Sequence, residues 1–213
     1  IASFDNFHSS QIIKALENNK HVFVEKPLCL LRKEYDSIAK ILKQKKHLRL
    51  SSNLILRKTE RFIKLKDKLS SGKLGNPYLF ESSYDYGRIH KIHRGWRGEI
   101  PFYSVMHGGG IHLIDLLLWL SGKKITKVKA IGTNIASKES NFKYFDCISA
   151  QLEFEDGAIG NVTANFPSVL PHSHKLTIYC DKSTFHHGPL GSCYFNSRDP
   201  DRKPIINNDK YPG

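Results

Sequence analysis

The run His21-Val22-Phe23-Val24-Glu25-Lys26-Pro27-Leu28 decides the fold. Its apolar, β-branched and aromatic residues favour an extended strand, and Pro27 ends it because proline has no N–H to give to a ladder. The strand therefore delivers Glu25 and Lys26 at its carboxyl end, where open α/β sheets place their ligands. Upstream, Ile1-Ala2-Ser3 reads as the tail of another strand and Phe4 to His8 as the loop after it. A helix follows, with Ser9 or Ser10 as its expected cap, Ile12, Ile13, Ala15 and Leu16 facing inward, and Asn18-Asn19 at its end. Downstream, Tyr35, Ile38, Ala39 and Leu42 recur at helical spacing and predict a helix from about Arg32 to Lys46. Strand, helix, strand, helix is a parallel α/β pattern. A further strand is expected within His47 to Leu56, then a basic amphipathic helix from Arg57 to Leu69 ending at Ser71-Gly72.

Beyond Gly75-Asn76-Pro77 the texture turns to β, with strands expected at Tyr78 to Tyr86, Ile125 to Ile135, Asp146 to Phe154, Ala158 to Phe166 and Lys175 to Cys180. Glu155-Asp156-Gly157 marks a hairpin turn. One helix interrupts them, about Gly110 to Leu120, stopped by Gly122. Ile111, Leu113, Ile114, Leu116, Leu117, Leu118 and Leu120 leave that helix no polar face, so it must be buried. His112 and Asp115 on it are then buried polar groups that need partners or a purpose. The tail from about residue 186 is rich in Gly, Pro, Asn and Asp and reads as loop. The fold expected is α/β: the second half of a nucleotide-binding domain over 1–52, then a mixed α+β domain over 53–213.

The chain has 213 residues, 39 % of them hydrophobic, which suits one or two globular domains. It begins inside an apparent strand and its only methionine is Met106, so it reads as an internal fragment. No run approaches the ~18 apolar residues that cross a bilayer, and no basic-then-apolar leader is seen, so a cytoplasmic protein without membrane partners is expected. Cys29, Cys147, Cys180 and Cys193 are scattered, which indicates free thiols rather than a zinc site or a disulfide framework. The formal charge is +13, and positions 1–75 hold 17 basic against 7 acidic residues. Much of that excess, from Lys40 to Lys46 and from Arg57 to Lys68, lies on helices with an apolar face. It reads either as a solvated helix face or as attraction for anionic ligands. No aromatic interleaving or nucleic-acid module accompanies it, so no nucleic-acid partner is expected.

Oxidising an alcohol to a ketone needs a hydride acceptor on one side of the carbon and a base for the hydroxyl proton on the other. Histidine, with an ordinary pKa of ~6.5, suits the base, and a nearby lysine can stabilise the developing alkoxide. His112 and Lys26 fill these roles if their segments meet across a cleft. Each also has a plain reading, as a satisfied core histidine and a surface lysine, and Gly108-Gly109-Gly110 as a tight lead-in to the helix. No dinucleotide glycine fingerprint is present. The residues by themselves leave both readings open.

Several segments, taken jointly, carry a resemblance: the Ser3 to His8 loop before a helix, Glu25-Lys26-Pro27-Leu28 after a strand, Gly72-Lys73-Leu74-Gly75, Trp96-Arg97, and the run from Gly108 through His112 and Asp115 to Trp119-Leu120. In their order and spacing the chain resembles, to about residue 185, the glucose-fructose oxidoreductase, inositol dehydrogenase and rhizopine-catabolism (Gfo/Idh/MocA) family of NAD(P)-dependent oxidoreductases. The resemblance implies the C-terminal half of a Rossmann domain followed by an α+β domain whose open, mainly antiparallel sheet often forms subunit contacts, hence a homodimer or homotetramer. It implies NAD or NADP as cofactor and a sugar, polyol or nucleotide sugar as substrate, with the basic surface leaning toward an anionic one. Lys26 would reach the substrate hydroxyl and the nicotinamide, and His112 would be the acid/base. Ser3, Asp5, His8 and Glu25 would line the cofactor side, Arg97 and Asp115 would contact substrate, no metal is implied, and the Lys26-Pro27 bond is expected to be cis. Two departures stand out. Gly108 occupies the position four before the histidine where family members often carry Asp, and Phe4-Asp5 stands where Pro-Asn is usual. The Gly-rich phosphate loop and the acidic residue that selects NAD or NADP fall outside this sequence. A regulator that binds NAD(P) without turnover is the alternative, to which the absent aspartate points.

Overall fold

The computed structural model describes residues 1–211. Residues 212 and 213, the end of the expected second domain, lie outside the described residues. The chain builds two hydrophobic cores. The first opens with helix α1 (His8–Glu17), preceded by a 3-10 turn at Asp5–Phe7. Strand β1 (Val22–Val24), helix α2 (Arg32–Gln44) and strand β2 (Leu50–Ser52) follow. β1 and β2 pair in parallel, with Val22 opposite Leu50. Ile1 runs beside β1 on its other edge, its amino group donating to the Phe23 carbonyl at 2.8 Å while Glu25 N–H donates back to the Ile1 carbonyl. Ile12, Leu16, Val22, Val24, Ile38 and Leu48 close the core between helices and strands. Helix α1 starts ahead of the expected serine caps, because the 3-10 turn runs directly into it and Ser9 is buried inside. The strand expected over His47 to Leu56 shrinks to three residues: a 3-10 turn at Ile55–Lys58 carries Leu56 into the second core.

The second core lies under a large sheet. Helix α3 (Glu60–Ser70), strand β3 (Pro77–Asp85), the short helices α4 (His90–His93) and α5 (Trp96–Glu99) and helix α6 (Ile111–Ser121) come first. Then come β4 (Ile125–Thr133), β5 (Cys147–Phe154), β6 (Ile159–Asn165), β7 (Ser173–Cys180), β8 (Thr184–Gly188), β9 (Gly191–Phe195) and β10 (Ile205–Asn207). The eight strands β3–β10 order as β10-β9-β8-β7-β3-β6-β5-β4, antiparallel except for the parallel pair β3–β6. The sheet is open, as expected. Asp156-Gly157 turns β5 into β6, with Gly157 at φ +85°. Leu113, Leu116, Leu117 and Leu120 of α6 are buried against Phe80, Val162 and Ala164 of the inner sheet face.

The tail corrects a sequence expectation. β8, β9 and β10 occupy residues read as loop. Pro189-Leu190 forms a two-residue turn between Gly188 and Gly191, and Phe185, His187 and Tyr194 alternate inward on either side of it. The polar, turn-rich composition concealed a hairpin whose inward positions are few. At the opposite end, edge strand β4 leaves Val128 and Ile131 exposed.

Candidate active site

Lys26 leaves the end of β1 at a cis Lys26-Pro27 bond. Its ammonium donates to the Gly108 carbonyl at 2.5 Å, across 82 residues of sequence. Gly108 belongs to the π-helical turn Met106–Gly110 that leads into α6, so this one bond joins the strand end of the first core to the turn before His112. Such turns recur at functional sites. The glycines let backbone and rings come close. A Cβ on Gly108 would lie 1.9 Å from Tyr103 Oη, and one on Gly109 2.2 Å from the Tyr84 ring. The volume that a side chain at 108 would need is thus filled by Tyr103, whose buried hydroxyl has no hydrogen-bond partner.

Burial, with the charge of Arg97 next, lowers the pKa of Lys26. Burial also lowers that of His112, to about 4, and Lys26 and His172 push the same way. An amine with a weakened hold on its proton thus neighbours an imidazole that is neutral near pH 7. Of the two His112 ring nitrogens, Nδ1 is buried without a partner. Around that ring stand Tyr84, His172 and His174. The His112 and His174 ring centroids lie 5.5 Å apart and nearly perpendicular, and those of His172 and His174 5.1 Å apart. Among the described residues no group of three or more His, Cys, Asp or Glu is arranged to hold a metal ion.

The loop before α1 meets the second core as well. Phe4 stacks on Trp96 with centroids 4.7 Å apart, and the Arg97 guanidinium lies 4.4 Å from the Trp96 ring centroid. Asp5 is buried near Lys26, His8 and Arg97, and that burial raises its carboxyl pKa against their pull. Asn6 Oδ1 is buried without a partner. Ser3 Oγ donates to Gln11 Oε1.

Three expected site residues have other occupations. His8 is fully buried, with Nδ1 2.7 Å from the Pro27 carbonyl and Nε2 3.1 Å from that of Ser3. It braces the loop against the cis turn, both ring nitrogens facing backbone carbonyls. Glu25 accepts from Asn53 Nδ2 at 2.7 Å, which locks the end of β1 to the chain beyond β2. Asp115 accepts from both Arg57 Nε and Nη2, at 2.7 and 2.5 Å, in a two-pronged ion pair. Sequence reading missed Tyr84, Tyr103, His172 and His174. The one available signal was the alternation His172-Ser173-His174, which runs straight into the strand expected from Lys175.

Among the described residues no helix is long and apolar enough to cross a membrane. The model for the GFO/IDH/MocA C-terminal domain matches residues 62–186, and that for the oxidoreductase family, NAD-binding Rossmann fold, matches residues 1–53. The chain belongs to this Gfo/Idh/MocA family. It is 29 % identical over 177 residues to scyllo-inositol 2-dehydrogenase (NAD(+)) of Bacillus subtilis strain 168, covering 79 % of this chain and 48 % of that protein. Levoglucosan dehydrogenase in complex with NADH superposes with a TM-score of 0.85 at 20 % identity, over 97 % of this chain and 60 % of that one. The scyllo-inositol dehydrogenase of Lactobacillus casei with bound NAD(H) and scyllo-inositol gives a TM-score of 0.77 at 24 % identity, over 89 % and 56 %. The chain spans about half the length of the curated relatives it matches.

Proposed function

We propose, for this member of the Gfo/Idh/MocA family, an NAD(P)-dependent dehydrogenase that oxidises a secondary alcohol of a sugar or polyol, with cyclic polyols such as inositols as the first class to test. The observation that supports it most is the Lys26–Gly108 bond, which brings an amine from the first core to the turn before His112. The inositol dehydrogenases among the relatives support the polyol. The basic surface keeps an anionic sugar, such as a nucleotide sugar, as the next class.

The residues present fit a nicotinamide dinucleotide. Asp5, the unpartnered Asn6 Oδ1 and Lys26 stand at the carboxyl end of parallel strands, the edge where such ligands bind. Ser3 lies at the base of the same loop. When bound, the nicotinamide supplies the hydride acceptor. Lys26, its amine desolvated and held by the Gly108 carbonyl, donates a hydrogen bond to the substrate oxygen and stabilises the charge that develops there. His112, neutral near pH 7, accepts the hydroxyl proton at Nε2. Arg97, over the Trp96 ring, contributes positive charge near Lys26 and Asp5. We further infer a homodimer or homotetramer assembled on the open sheet, supported by exposed Val128 and Ile131. A cytoplasmic location is supported by four unpaired cysteines.

A second reading, an NAD(P)-binding regulator without turnover, is favoured by Gly108 standing where a carboxylate is usual. One experiment separates the two: the absorbance of reduced nicotinamide is followed with a panel of inositols, sugars and nucleotide sugars for wild type, Lys26→Ala and His112→Ala. The dehydrogenase reading expects turnover that falls by about 10²- to 10⁴-fold in either variant while cofactor binding persists. Tight cofactor binding with no turnover on any substrate supports the regulator.

A further inference from the structure

A histidine can take a proton at Nε2 only if Nε2 holds the lone pair, and the neutral ring must then carry its own proton on Nδ1. In His112 that Nδ1 is buried and lacks a partner. A group that accepts from Nδ1–H would set the tautomer, as the third member of a base-orienting array does. The position four residues ahead is glycine, and its side-chain volume is closed by the Tyr103 ring. A carboxylate at position 108 is therefore shut out by the Tyr103 hydroxyl that takes its space.

A neighbouring ring offers an acceptor. His174, near the start of β7, sets its ring at right angles to that of His112. Its Nε2 is likewise buried and unpartnered. Its Nδ1 lies 2.7 Å from Tyr211 Oη, which can accept a proton from it. With that proton committed to Tyr211, His174 Nε2 carries a lone pair. We propose that His174 is a positioning residue that accepts from His112 Nδ1–H once a small rotation of either ring brings these two unpartnered atoms into reach, and so holds His112 in the tautomer that leaves Nε2 free as the base. Tyr211 anchors His174 in turn. The pair fills the place of the carboxylate for which this chain has no room. This rests on the reading of His112 as the base.

The neighbours are consistent with such a pair. Burial, then the closeness of His112, His172, His187 and Lys26, lowers the pKa of His174 to about 3, so both rings are neutral near pH 7 and one can accept from the other. Lys26, the one cation among those groups, has donors only. Tyr84 offers His112 a ring face, at 6.4 Å and 29°. His172 also has a free Nε2 but makes ring contact with Tyr84, Tyr86 and His174 rather than with His112.

The test reads tautomers directly, by long-range 15N–1H correlation on the histidine-labelled chain near pH 7.5. His112 is expected as the Nδ1–H form. His174→Phe should move it to the Nε2–H form, His174→Gln, whose amide oxygen can accept, should retain Nδ1–H, and His172→Gln should leave it unchanged. His112 found as Nε2–H in the wild type, or still Nδ1–H in His174→Phe, overturns the proposal, as does a change produced by His172→Gln alone. Should the phenylalanine variant not fold, His174→Leu, likewise without an acceptor, takes its place with the same expected move to Nε2–H. The enzyme reading fails differently, through absent turnover with the His112 tautomer intact. If turnover is found, His174→Phe should lower kcat at least tenfold with KM little changed, and His174→Gln should restore most of it.

Discussion

Mild acid should destabilise this chain before its carboxylates titrate. Three buried histidines are held neutral. Burial lowers His112 to about 4, His174 to about 3 and His187 to about 4, from an ordinary value of 6.5. Below pH 6.5 the unfolded chain binds these protons and the folded one refuses them until the pH nears 4, so stability is full above about pH 7 and falls as the pH drops through that window. One pH unit below the unfolded value, each group removes about 1.4 kcal/mol. At pH 5.5 the three together remove about 4 kcal/mol, a large share of the 5–15 kcal/mol typical of a domain.

Urea unfolding followed by the fluorescence of Trp96 and Trp119 measures this. With an m-value of about 2–3 kcal/mol per molar, the midpoint should fall by about 1.3–2 M between pH 7.5 and pH 5.5. His187 supplies the control. Arg61 Nη1 donates to its Nδ1 at 3.1 Å, and His187→Asn retains an acceptor while removing the titration. That variant should show about two-thirds of the wild-type pH dependence. A midpoint that stays constant between the two pH values would refute the assignment of these rings as buried and neutral.

Other substitutions probe the site's packing. Gly108→Ala drives a methyl against Tyr103 Oη, where the ideal Cβ lies 1.9 Å away, and should cost about 1–3 kcal/mol by urea unfolding. Tyr103→Phe, which removes a buried hydroxyl without a partner, should be neutral or stabilising by about 1 kcal/mol. Arg57→Ala leaves Asp115 unpaired with its side chain 11 % exposed. The 43 % exposure of Arg57 discounts the usual loss for a buried pair to about 2 kcal/mol. Adding Asp115→Asn to Arg57→Ala should recover part of that loss, and a fully additive double mutant would show that the pair is uncoupled.

What was legible in the sequence was whatever one element decides by itself. Helix α6 could be read because it is apolar on every face, and the β5–β6 turn because Asp156-Gly157 demands a left-handed backbone there. The parallel pair β1–β2 followed from strand and helix periodicity. Partnerships across long sequence distance left no local trace. Arg61 sits on a helix face that reads as solvated, yet it is buried by a bond to His187 and another to the carbonyl of Asp209, 148 residues away. Nor did the sequence show that the His8 ring meets the Pro27 carbonyl, 19 residues on. His174 escaped notice because β7 begins at Ser173, two residues ahead of the expected strand start, and that onset turns its ring toward His112.

The energetic cost of the site weighs on the choice between enzyme and regulator. Withdrawing the Lys26 ammonium from water and keeping His112 and His174 neutral both subtract from stability, the second measurably so in mild acid. A protein that only grips a dinucleotide gains nothing from an amine inclined to give up its proton or from an imidazole with a free lone pair, since a solvated lysine binds anionic groups as well. Those features favour groups that exchange protons with a bound hydroxyl, where a displaced pKa is what the task requires. Glycine at 108 does not reverse this. The missing carboxylate leaves Lys26 its backbone acceptor, and the His174 imidazole beside His112 is itself tied to Tyr211. A decayed site would be expected to relax first at its unpartnered buried atoms, by filling them with apolar side chains. Here His112, His172 and His174 all keep such atoms in neighbouring rings, which weighs toward the dehydrogenase reading.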